Sequence, residues 1–98
     1  MDKNKIIARA DYFRAKTGLS QKALSMDIEM NWGYINRLES KKDFLPRMET
    51  LLRIIEACGI TEEEFFYDDY ENYEQDKIIL TKIKKLSPEI REALLKFL

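Results

Sequence analysis

Apolar residues recur at helical spacing along most of the chain, and polar or turn-forming residues separate the runs. Ile6, Ala10 and Phe13 form one stripe with Ile7 beside it, which predicts a helix over 3–16. Gly18 follows as a residue able to take positive φ past a helix end. Ser20 is a good N-cap, and Leu24 and Ile28 stand on one face, predicting a second helix over 21–28. Asn31 is another N-cap, and Ile35 and Leu38 predict a third helix over 32–40. The stretch KKDFLP reads as a loop, because Pro46 pushes Leu45 out of helical space. A fourth helix is expected over 48–58, burying Leu51, Ile54 and Ile55 and stopped by Gly59. Thr61 to Glu64 is a T-x-x-E capping box, so a short fifth helix should follow, with Phe65 and Phe66 turned to the core.

The next stretch, YDDYENYEQD over 67–76, has turn formers and no clear period. It reads as an acidic, aromatic linker that turns helical near its end. A sixth helix over 75–86 aligns Ile79, Ile83 and Leu86. Ser87 caps the seventh, Pro88 is a favoured first residue, and Ile90, Leu94 and Phe97 fall at i, i+4 and i+7. The expected fold class is therefore all-α: five helices in a first domain, residues 1–67, then a linker and a two-helix extension, residues 68–98.

Helices two and three are separated by only about two residues, Glu29 and Met30. That is the layout of a helix-turn-helix, whose second helix enters the DNA major groove. The letters agree with the layout. GLSQKALS, then Ile28, then YINRLE followed by Lys41 and Lys42, resembles the Cro and phage-repressor (XRE) family, over roughly residues 5 to 67. Members typically carry LSQ, a small residue where Ser25 stands, and an I-x-x-L/I-E run. One departure is Glu29, where the family usually has Gly. A Glu there must either accept a left-handed backbone or sit in a differently shaped turn.

The resemblance implies a DNA-contacting set. Gln21, at the start of the second helix, would add an amide donor to the free N–H groups facing phosphate. Asn31, Trp32, Gly33, Asn36 and Arg37 would face the groove. Arg37 is the strongest base reader, because a guanidinium can bond guanine O6 and N7 together. Trp32 would meet a thymine methyl or sugar edge, or else cap the core from the side. Gly33, inside a helix, would let the backbone approach the bases. Tyr34 would donate to phosphate or pack against the second helix. Lys41, Lys42 and Arg47 would hold the sugar-phosphate backbone from the loop. Arg14 and Glu39 match positions that form a partly buried ion pair between helices one and three.

Charge changes this picture in one respect. The net charge of −1 is unusual for a DNA binder, but it is unevenly spread. Residues 1–60 carry a net +3, residues 61–76 a net −8, and residues 77–98 a net +4. Local charge steers a polyanion, so the acidic block should face away from DNA or engage a protein partner over 62–76. The single cysteine, Cys58, precludes an internal disulfide and fits a reducing, cytoplasmic setting as a small core residue. There is no secretory signature and no apolar run of membrane-spanning length. The chain has no histidine, no Gly-rich phosphate loop and no EF-hand spacing among its acids, so no enzyme, metal or cofactor is expected.

The function expected is a sequence-specific double-stranded DNA-binding transcriptional regulator, by family habit a repressor. The alternative is a protein-interaction or antitoxin-like module that keeps the same fold. Helices six and seven carry more apolar surface than a small hairpin can bury, so a homodimer joined through residues 75–98 is expected. The competing arrangement packs them on the chain's own first domain.

Overall fold

The computed structural model describes residues 2–40 and 45–97, and every regular element among them is helical. The elements are α1 (Lys3–Thr17), α2 (Gln21–Asp27), α3 (Tyr34–Ser40), α4 (Met48–Ala57), α5 (Glu62–Phe66), a 3-10 turn (Tyr70–Asn72), α6 (Tyr73–Lys84) and α7 (Pro88–Leu95). They form two compact units, Met1–Phe66 and Tyr67–Leu98. No helix among the described residues is long and apolar enough to cross a membrane. Nor do these residues bring together three or more side chains able to hold a metal ion.

In the first unit, local chemistry sets the helix ends. Asp2 accepts from the Lys5 amide at 2.9 Å, and Ser20 accepts from the Ala23 amide at 3.0 Å, each satisfying a first-turn donor. Gly18 takes φ 83° and closes α1 through its own N–H and that of Leu19, both reaching the Arg14 carbonyl. The same closure ends α2, but there a glutamate adopts it. Glu29 has φ 60°, its N–H reaches the Met26 carbonyl, and the Met30 N–H reaches that of Ser25 at 2.9 Å. The turn thus keeps the left-handed geometry, with the steric cost that a Cβ brings there.

The core of this unit collects Ile7, Ala10 and Phe13 from α1, and Leu24 and Ile28 from the α2 segment. Ile35 and Leu38 come from α3, Leu51, Ile54 and Ile55 from α4, and Phe65 from α5. Ser25 is fully buried among them and stitches α2 to α3. Its hydroxyl donates to the Gln21 carbonyl at 2.8 Å and accepts from the Ile35 N–H at 3.0 Å. A larger residue would push the helices apart, and a wholly apolar one would leave that amide unsatisfied. Arg9 is also buried, and its Nη1 donates to the Phe65 carbonyl at 2.8 Å, satisfying an acceptor at the end of α5.

Four expectations change. Phe66 is 40% exposed while Phe65 is fully buried, because adjacent helical residues point about 100° apart. Cys58 is buried as expected but caps α4 rather than lying within it. The third helix begins at Tyr34, so Trp32 and Gly33 occupy its opening turn. Asn31 still caps that turn: its side-chain oxygen accepts from the Gly33 N–H at 2.9 Å, and its carbonyl from the Tyr34 N–H at 2.8 Å. The fourth change lies in the acidic stretch, which is more ordered than a linker. Tyr67 donates to Asp76 at 2.8 Å, its ring meets that of Tyr73 edge-on at 5.2 Å, and α6 starts at Tyr73 rather than Gln75.

In the second unit, Ser87 caps α7 as expected, accepting from the Ile90 N–H at 3.3 Å, with Pro88 first in the helix. Ile83, Leu86 and Leu94 are half-buried, whereas Ile78, Ile79, Leu80, Ile90, Leu95 and Phe97 are exposed.

Candidate nucleic-acid interface

The start of α2 and the outer face of the α3 segment enclose a shallow concavity. Its lining is Gln21, Lys22, Asn31, Trp32, Gly33, Asn36 and Arg37, which includes two cations and no carboxylate. Trp32 is 67% exposed, so it does not cap the core from the side. Arg37 is exposed beside it, and its Nη1 lies 3.8 Å from where a Cβ on Gly33 would stand. A methyl at Gly33 therefore meets only ordinary contact.

Gln21 sits where its sequence position puts it, but its amide is engaged with protein. Its oxygen accepts from Asn36 Nδ2 at 3.0 Å, and its nitrogen lies 3.4 Å from Glu39 Oε2. The side chain thus orients Asn36. Tyr34 departs from the expected set. It is 5% exposed, with its phenol pushed up by burial, an effect that the nearby Arg37 charge partly opposes. It lines a second cleft with Met30, Leu45, Pro46, Arg47, Thr50 and Arg53. Arg47 opens α4 there, outside the concavity of Trp32 and Arg37. Lys41 and Lys42, with Asp43 between them and Pro46, lie outside the described residues.

Behind the concavity, Arg14 lies with Nε 3.0 Å from each carboxylate oxygen of Glu39, and their side chains are only 16% and 10% exposed. Arg14 also donates to the Leu19 carbonyl at 2.9 Å and to Asp11 at 2.8 Å. Burial works against the guanidinium charge, but the bonds and charges of Glu39 and Asp11 outweigh it and raise its pKa. Two carboxyls share this one cation. Glu39 is pushed up, first by burial and then by its bond with Asp11, against the pull of Arg14. Asp11 is held low, first by the bond with Glu39 and also by Arg14. A continuous chain of polar contacts therefore runs Asp11–Arg14–Glu39–Gln21–Asn36, from α1 to the outer face of α3.

Two members of these sets are absent from the sequence reading. Asp11 stands one helical turn before Arg14, the spacing of a helical ion pair, which was the available signal. Lys22 follows Gln21 directly, and its place in the concavity follows from its position in the first turn of α2.

A helix-turn-helix family model matches residues 12–65, more than half of the chain. The chain belongs to the helix-turn-helix family, of the XRE type that includes the Cro and phage repressors. No curated protein and no solved structure matches it. The match spans the Arg14–Glu39 pair, both helices of the motif and the capped α5. As a helix-turn-helix protein it is a DNA-binding regulator in general kind.

Proposed function

We propose that this protein is a sequence-specific double-stranded DNA-binding transcriptional repressor that reads the major groove with residues 32–40. One observation supports this above the others: Trp32 and Arg37 stand exposed on a concavity bearing Lys22 and no acid. An exposed indole beside a guanidinium offers an apolar contact for a thymine methyl and a bidentate donor for guanine. A protein-interaction module on the same fold would suit the acidic stretch 62–76 better than it suits this basic face. Repression would follow from occupying the operator.

A single helix-turn-helix reads few base pairs, so we further propose a homodimer joined through residues 75–98. The exposed Ile78, Ile79, Leu80, Ile90, Leu95 and Phe97 support that reading. A twofold pair would set two copies of α3 about 34 Å apart and require a near-palindromic operator. Selection of bound sequences from random duplex DNA tests both statements. A palindromic motif is expected; failure to enrich any motif would overturn sequence-specific reading. Sedimentation of the full chain as a monomer at tens of micromolar, on the order of the concentrations where such dimers form, would overturn the pairing.

A further inference from the structure

α6 carries a groove lined by Glu74, Lys77, Ile78, Thr81, Lys82 and Lys85. Its floor is apolar, from Ile78, the Thr81 methyl and the lysine stems, and its rim is basic. Ile78 is 57% exposed on that floor. α7 presents the opposite charge, with Glu89 and Glu92 exposed three residues apart. Lys82 and Lys85 are also three apart and exposed. Among the described residues, none of these four makes an ion pair.

We propose that the α6 groove receives α7 of a second copy of this chain, antiparallel, with Lys82 facing Glu92 and Lys85 facing Glu89. This rests on the homodimer reading above and names its contact. The two charge pairs have the same rise, about 4.5 Å along each helix axis, so both can form at once, and the antiparallel sense sets the C-terminal end of α6 beside the N-terminal end of the second α7, where the helix dipoles attract. In that register Ala93 of the second copy, a small side chain, lies over Thr81, and the Lys96 stem comes level with Ile78. Lys96 of the second copy then approaches Glu74 at the far end. By the twofold symmetry each copy gives one groove and one α7, so the contact is made twice. Exposed ion pairs contribute little stability, and that comes from covering Ile78 and the Thr81 methyl with Ala93 and the Lys96 stem; the charges select which face of each helix meets the other.

The test is a charge swap between full-length chains. K82E/K85E has two acidic faces and E89K/E92K two basic ones, so each alone should self-associate roughly tenfold more weakly than the unaltered chain. Mixed in equal amounts they should form heterodimers as tight as the unaltered homodimer, because both contacts are then complementary. Sedimentation reads the masses, and helical circular dichroism confirms that each variant is folded. If either double variant loses its helical signal, the single exchanges K85E and E89K replace them. Variants that dimerise alone as tightly as the unaltered chain, or that fail to recover on mixing, overturn this contact while leaving the homodimer standing. An unaltered chain that is monomeric overturns the homodimer itself.

Discussion

Arg14 holds Glu39 through a single nitrogen equidistant from both carboxylate oxygens, 3.0 Å from each, across 25 residues of sequence. The bond joins α1 to the last turn of α3, so it sets how the recognition segment leans on the rest of the unit. Removing either partner leaves the other charge in a poorly solvated place. Arg14→Ala and Glu39→Ala are each expected to cost about 2–4 kcal/mol, less than a wholly buried pair because both side chains keep some solvent. Thermal and denaturant melts check this, and wild-type stability in both variants would rule out a structural role for the pair.

The same cluster predicts a pH dependence with two opposed parts. Glu39 is raised above its ordinary value of 4.5, so the folded chain holds that proton more tightly than the unfolded one. Its contribution to stability is full below 4.5 and is lost as pH rises through the folded value. Asp11 is lowered below 3.8, so its contribution is present above 3.8 and is lost as pH falls through the folded value. Glu39→Gln should abolish the decline above 4.5 and weaken the acid limb from Asp11, leaving the part that Arg14 sustains. Carboxyl carbon shifts followed by NMR across the acid range would show it directly; Glu39 titrating below 4.5 would contradict the burial argument.

On DNA, Arg37 and Lys22 should fail differently. Arg37→Ala is expected to weaken binding by about 1–3 kcal/mol and to relax preference at particular base pairs. Lys22→Ala should weaken all sequences alike and reduce the salt slope by about one. Titrations at several salt concentrations, on selected and scrambled duplexes, separate the two; an unchanged selected motif for Arg37→Ala would remove it from the groove.

The left-handed Glu29 gives a prediction of opposite sign. Glycine adopts φ 60° without the Cβ clash, though it gains more freedom in the unfolded chain. Glu29→Gly should therefore stabilise the protein by about 0.5–1 kcal/mol, read as a raised denaturation midpoint without a change in slope.

Much of the fold was legible because its signals are local. The caps at Ser20 and Ser87, the Gly18 stop and the spacing of Leu51, Ile54 and Ile55 each act within a few residues. The site was less legible, because its partners meet through space. Nothing near Gln21 in sequence shows that Asn36 and Glu39 will take up its amide. For Tyr34 the sequence leaves phosphate contact and packing both open, and burial decides for packing; the helix start is two residues later than the spacing predicts because the bond of Asn31 to Gly33 makes an opening turn before the α-helix proper. Asp11 belongs to the cluster because Arg14 serves two carboxylates at once, one of them from 25 residues away.

The seven residues of α3 face two ways, with Ile35 and Leu38 inward and Asn36 and Arg37 outward. One added or deleted residue between Asn31 and Glu39 would rotate everything beyond it by about 100°, carrying Arg37 towards the interior and a core aliphatic into the solvent. The segment's length is therefore fixed by the core it packs against, whereas its outward side chains can be exchanged without disturbing that packing. On the proposed reading, a changed operator preference is reached by replacing Trp32 or Arg37 in place, and not by insertion or deletion.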